Sequence, residues 1–146
     1  MARIESSLLV SKSLESVFGF LNRSESHLKF IPRMVELRQT SRGTFGQVGT
    51  RLTGMLNYFG IRIPVQYELI EVEPIYRLAM KGQMGPVNFR DGYILSPDPK
   101  GTRIQFWLEL LPTGWARLFR PFAGWIGRIH AYETLRNLKR ELDDNQ

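Results

Sequence analysis

Apolar and polar side chains alternate with a period of two over most of this chain and switch to a helical period at two places, one near the start and one at the end. Ile4 to Val10 reads as a first strand. Ser13 then suits the N-cap of a short helix carrying Leu14, Val17, Phe18 and Leu21 on one side. A second short helix follows, with Ser24 as its cap, Leu28 and Ile31 as packing residues and Pro32 as its stop. Six further strands are expected at Met34 to Thr40, Val48 to Leu56, Ile61 to Val72, Tyr76 to Gly82, Val87 to Leu95 and Thr102 to Leu111. Turn signals such as Arg42-Gly43, Phe59-Gly60, Glu73-Pro74 and Gly85-Pro86 separate them. Connections this short predict an antiparallel meander, because parallel neighbours need long crossovers.

The alternation also predicts which side chains point inward. Ile104, Phe106, Leu108 and Leu110 share one face of the last strand. By the same test Ile61, Ile63, Val65, Tyr67 and Leu69 point in, as do Tyr76, Leu78 and Met80, and Val87, Phe89, Asp91, Tyr93 and Leu95. Trp115 to Asp144 reads as one long amphipathic helix, its regular part starting at Pro121 after a lead-in turn from Gly114 to Arg120. A sheet with one apolar face, and one long helix to cover it, offers more inner surface than that helix fills. Either the sheet curls tightly or a cavity remains.

The long helix carries two apolar stripes. Leu118, Phe122, Trp125, Ile129 and Tyr132 form the first, while Ala131, Leu135, Leu138 and Leu142 form a second about a third of a turn away at ~100° per residue. Its charges run against the helix dipole, with Arg117, Arg120 and Arg128 at the start and Asp143 and Asp144 at the end. No carboxylate lies between Trp115 and His130, where Trp115, Phe119, Phe122 and Trp125 are interleaved with the three cations. Two readings stand: core aromatics with a solvated arginine rim, or a surface that meets an anionic amphiphile or membrane.

Composition narrows the class. A chain of 146 residues with 42% hydrophobic and 23% charged residues fits one globular domain spanning residues 1–146. With no cysteine, disulfides and thiolate chemistry are excluded. Charges in Met1 to Glu5 argue against a signal peptide and no apolar run approaches a membrane span, so a soluble, cytoplasmic protein is expected. The net charge of +6 is spread along the chain without a nucleic-acid-binding motif, which points to anionic surfaces in general and to no nucleic-acid partner.

In this order and spacing the chain resembles the START-like superfamily, also called SRPBCC, and within it the polyketide cyclase/dehydrase and lipid-transport group. The stretches that carry the resemblance are Lys12-Ser13-Leu14-Glu15-Ser16-Val17-Phe18, Phe30-Ile31-Pro32, Gly46-Gln47-Val48-Gly49-Thr50-Arg51, Ile70-Glu71-Val72-Glu73-Pro74, Gly101-Thr102-Arg103-Ile104 and Leu135-Arg136-Asn137-Leu138-Lys139. The resemblance implies an α+β helix-grip fold in which a curved seven-stranded antiparallel sheet wraps a C-terminal helix and encloses a cavity for a hydrophobic ligand. One departure is Phe30, where the family often has Trp. Fold of this kind does not fix chemistry.

Among polar residues Asp91 is the sharpest candidate, since it falls on the inner face between Phe89 and Tyr93, where an unpaired carboxylate is costly. It reads as a general acid/base or ligand anchor, or else as a bulge residue turned outward or a structural ion pair. Tyr67 and Tyr93 suit a cavity wall or a core with the hydroxyl at solvent. Leu78, Met80, Phe89, Phe106, Leu108, Phe122, Trp125 and Ile129 are the expected apolar ligand contacts, and Trp115, Arg117, Phe119 and Arg120 a gate or anion contact. His27 and His130 are expected at the surface. Their separation, without carboxylate-histidine spacing, argues against a metal, and no phosphate loop or nucleophile elbow calls for a cofactor. The leading function is binding or transport of a lipid-, quinone- or polyketide-like molecule. A cyclase or dehydratase using Asp91, and a partner-protein module, are the alternatives.

Overall fold

The computed structural model describes residues 3–144. The chain runs β1 (Arg3–Val10), α1 (Leu14–Leu21), α2 (Ser24–Phe30), β2 (Met34–Gln39), β3 (Arg51–Tyr58), β4 (Ile61–Glu73), β5 (Arg77–Met84), β6 (Val87–Asp98), β7 (Gly101–Pro112), a 3-10 helix (Gly114–Phe119) and α3 (Arg120–Asp144). The strands form one antiparallel sheet in the order β1-β7-β6-β5-β4-β3-β2. The meander from β2 to β7 is the one the alternation predicts, and seven antiparallel strands with a long C-terminal helix agree with the helix-grip fold that the resemblance implies. Register shifts between Met34 and Glu36 in β2, and between Leu69 and Glu71 in β4, insert extra residues that bend the sheet.

Across the middle of the sheet the inward side chains stand in rows. Leu78, Tyr93 and Phe106 form one, Met80, Asp91 and Leu108 the next, and Gly82, Phe89 and Leu110 the third. Two expected inward residues, Ile61 and Tyr76, lie outside, and the strand expected from Val48 begins only at Arg51. Val48 precedes Gly49 in a turn (φ 97°), Ile61 follows the tight Phe59-Gly60 turn, and Tyr76 follows Ile75 at φ 64° before β5 begins; each is exposed.

The short helices keep the predicted caps only in part. Ser13 Oγ accepts the Ser16 N–H at 3.1 Å, as an N-cap should. Ser24 instead begins α2, and Ile31 is extended ahead of Pro32, which stops the helix. The buried face of α2 is Ser26, His27 and Phe30, with Leu28 exposed. In this orientation His27 Nε2–H donates a buried hydrogen bond of 2.7 Å to the Leu21 carbonyl at the end of α1, while Nδ1 is buried without a partner. His27 is therefore a core residue, ringed by Phe30, Phe45 and Tyr93 at 5.0, 5.8 and 6.3 Å.

The rotation of α3 decides the rest. Gly127, Ala131, Thr134, Leu135, Leu138 and Leu142 face the core, and α3 packs against β1, β7 and α2. At Gly127 the approach to the sheet is close enough that a Cβ would run into Ile4 Cδ1 and stand 3.3 Å from Leu110 Cδ1. The opposite stripe, Phe122, Trp125, Ile129 and Tyr132, faces outward at 41–63% exposure, so these residues are neither core nor cavity wall. The C-terminal half of α3 carries Ala131, Leu135, Leu138 and Leu142 on one stripe and only Tyr132 of the other, and a straight helix has one rotation; burying the leucine stripe turns the aromatic stripe out. Leu138→Ala should cost roughly 2–5 kcal/mol in urea unfolding. Trp125→Ala should stay within about 0.5 kcal/mol, as expected of a surface position; a larger loss there would mean that α3 sits rotated from this orientation.

Candidate functional site

The aromatic chain Phe30, Tyr93, Phe106 and His130, with successive ring centroids 6.1, 5.2 and 6.4 Å apart, fills the half of the interior next to α1 and α2. Beyond it the small residues of α3 cannot reach the sheet's inner face, and a cavity of about 430 Å3 remains. β3 and β4 contribute Leu56, Tyr58, Ile63, Val65 and Tyr67 to its wall, and β6 and β7 contribute Phe89, Asp91, Leu108 and Leu110. The roof is Ala123, Ile126, Gly127 and His130 from α3, and Trp115 and Phe119 stand beside it from the 3-10 helix. A wider groove of about 800 Å3 is bordered by Arg51, Glu68, Lys81 and Arg90 together with Leu52 and Leu111.

Glycine shapes the wall at one point. A Cβ on Gly82 would run into the Phe89 ring and the Gln66 carbonyl. Its absence lets Phe89 cross β5 and meet Tyr67 edge-on, 5.3 Å between centroids.

Asp91 is the cavity's anomaly. It is 8% exposed, in regular register between Met80 and Leu108, and its Oδ1 is buried without a hydrogen-bond partner. Neither an outward bulge nor a structural ion pair accounts for it. Burial pushes its carboxyl up from 3.8 to about 7. Tyr67 and Tyr93 are raised by burial first and by the neighbouring Asp91 charge second, so three titratable groups share one desolvated region. A carboxyl poised near neutrality can donate a hydrogen bond when protonated, accept one when ionised, or move a proton.

The remaining candidates divide. Tyr67, Phe89, Asp91, Leu108, Trp115 and Phe119 border the cavity. Leu78, Met80, Tyr93 and Phe106 are buried in the adjoining core and do not border it. Phe122, Trp125 and Ile129 lie on the outer face of α3, and Arg117 and Arg120 are exposed away from the wall. His130, expected in solvent, turns its ring toward the cavity, and burial lowers it to about 4. The residues missed by periodicity, chiefly Ala123, Gly127 and His130, carried one readable signal. Ala123, Gly127 and Ala131 recur every four residues, the mark of a close helix approach. Among the described residues no group of three or more His, Cys, Asp or Glu is placed to hold a metal ion.

An apolar cavity between a curved antiparallel sheet and its C-terminal helix defines a helix-grip ligand-binding fold. The chain belongs to the polyketide cyclase/dehydrase and lipid transport family, whose sequence profile matches residues 1–143. The Zhui aromatase/cyclase from Streptomyces sp. R1128 superposes with a TM-score of 0.82 at 9% identity, over 97% of this chain and 93% of that one. The protein TTHA0849 from Thermus thermophilus gives 0.79 at 15% identity over 98% of both chains. A conserved protein from Geobacillus kaustophilus gives 0.78 at 16% identity, over 98% of this chain and 96% of that one. At these identities the likeness is one of fold. No curated protein matches the chain in sequence.

The raised carboxyl has a signed consequence. Between pH 4 and 7 folded Asp91 keeps a proton that the unfolded chain releases, so its contribution to stability falls as pH rises across that window and is flat above it. His27 and His130, both lowered by burial to about 4, act in the other direction, with stability lost as pH falls from 6.5 toward 4. Asp91→Asn removes only the first effect. In urea unfolding its advantage over the native chain should widen by on the order of 3 kcal/mol between pH 4 and pH 7.5. A difference that stays constant with pH would show an ordinary carboxylate.

Proposed function

We propose that the protein binds and carries a hydrophobic small molecule with one polar group, a lipid-, quinone- or polyketide-like compound, in the cavity under the start of α3. The observation that carries this reading is an apolar chamber whose buried Asp91 Oδ1 has no protein partner. A volume of about 430 Å3 falls in the ~300–1,000 Å3 range of small-molecule sites. An apolar wall contributes affinity in proportion to the area it covers. Asp91 supplies orientation: it accepts from a ligand hydroxyl or, protonated, donates to a ligand carbonyl.

Native mass spectrometry and organic extraction of the purified protein test this directly. The expected result is a stoichiometric adduct of an apolar compound. Ala123→Phe, which fills the roof, should weaken its binding at least about tenfold, equivalent to ~1.4 kcal/mol. Absence of an adduct, together with no saturable uptake of fatty-acid or quinone probes, overturns it.

A second reading is favoured by the carboxyl held at about 7. Ring closure or dehydration of a polyketide-like substrate needs a group that takes a proton from carbon and returns one to oxygen, and a carboxyl near neutrality does both. Asp91→Asn separates the two readings. A carrier keeps its ligand with affinity changed by less than about tenfold, whereas an enzyme keeps the ligand and loses turnover.

A further inference from the structure

The outer face of α3 is unusual in having nothing to cover it. Trp115, Leu118 and Phe119 of the adjoining 3-10 helix and Phe122, Trp125 and Ile129 of α3 are 41–80% exposed. At the same end the β3–β4 hairpin projects Phe59, 98% exposed, from a turn position at φ 55° that a bulky side chain adopts only against steric resistance. The hairpin shares that end because Tyr58 and Ile63, which flank its tip, line the cavity together with Trp115 and Ile126.

The charge around this face has one sign. Arg62, Arg117, Arg120 and Arg128 are exposed, and among the described residues none of them joins an ion pair. Elsewhere Arg3, Arg23, Arg33, Arg51, Arg77, Arg103, Arg136 and Lys139 have carboxylate partners, while Arg38, Arg42, Arg90 and Arg140, dispersed over other parts of the chain, join no ion pair among the described residues. Residues 110–132 contain no Asp or Glu at all, and neither do residues 57–67. Four unpaired guanidinium groups around a ridge of aromatic side chains complement a surface that is negatively charged outside and apolar just beneath. A bilayer containing anionic lipid has that layering. A second copy of the chain would bring like charge against like charge.

We propose that the 3-10 helix, the first half of α3 and the tip of the β3–β4 hairpin together form a peripheral docking surface for an anionic membrane. Trp115, Phe119, Phe122 and Trp125 enter the interface and the four arginines meet lipid phosphates. No helix among the described residues is long and apolar enough to cross a membrane, so the contact is a surface one. Docking this way would set the cavity's Trp115 and Phe119 wall against the bilayer. Trp115 and Phe119 also border the cavity, but Arg117, Arg120 and Trp125 do not, so variants of these three test the docking surface apart from what the cavity holds.

Vesicle co-sedimentation tests it, with phosphatidylcholine alone and with equal parts phosphatidylglycerol. The expected result is binding to the anionic vesicles at least tenfold tighter than to the neutral ones, weakened by raising salt toward ~1 M. Trp115 and Trp125 should be quenched by brominated lipid. Arg117→Ala and Arg120→Ala should each lower the vesicle partition coefficient about fivefold, and Trp125→Ala should lower it further. Native mass spectrometry of the same variants should show any cavity adduct unchanged, which keeps this test separate from that of ligand binding. Equal affinity for neutral and anionic vesicles, no binding to either, or binding untouched by the three variants overturns the proposal. So does a dimer in analytical ultracentrifugation that Trp125→Ala dissociates, because the face would then be covered by a second copy.

Discussion

One rigid rod has one rotation, and α3 spends it on its C-terminal half. Leu135, Leu138 and Leu142 are buried with Ala131 and Thr134, and Gly127 lets the same line approach β1 and β7. Everything distinctive about the other half follows from that choice. Small residues end up facing the sheet where large ones would have filled it, and large residues end up facing away from it. The hollow inside and the aromatic ridge outside are two results of the same packing decision.

The interior is accordingly uneven. Next to α1 and α2 it is solid, with His27 fastened to the Leu21 carbonyl and aromatic rings in contact from Phe30 through Phe106. Under the first turns of α3 it opens around Asp91, a carboxyl that the surrounding apolar wall holds near neutrality. A group in that position lowers stability at neutral pH, since its charged form is desolvated. Proteins concentrate such costs where chemistry or recognition takes place. The chain belongs to the polyketide cyclase/dehydrase and lipid transport family and shares its fold with an aromatase/cyclase and with proteins from Thermus and Geobacillus.

Much of the sheet was legible because alternation is local. Phe106 and Leu108 point inward for the same reason that Arg103 and Gln105 point away, and the turn residues between strands are visible one dipeptide at a time. Asp91 was legible as an inward carboxylate for this reason too. His27 was not, because its partner is a carbonyl six residues earlier, and nothing in the periodicity of a seven-residue helix announces such a bond. Leu28 was misjudged by the same rotation.

The chain alone determined the element order, the antiparallel meander, the position of Asp91 on the inner face and the collection of aromatic and cationic residues at the start of α3, since each depends on neighbours a few residues apart. Tertiary packing decided which stripe of α3 faces the sheet, and with it the exclusion of Phe122, Trp125 and Ile129 from the cavity and the entry of His130. A helix with apolar residues on two sides has no local reason to prefer either. Only the competing demand of its far end, together with the close contact that Gly127 permits at Ile4, breaks the tie.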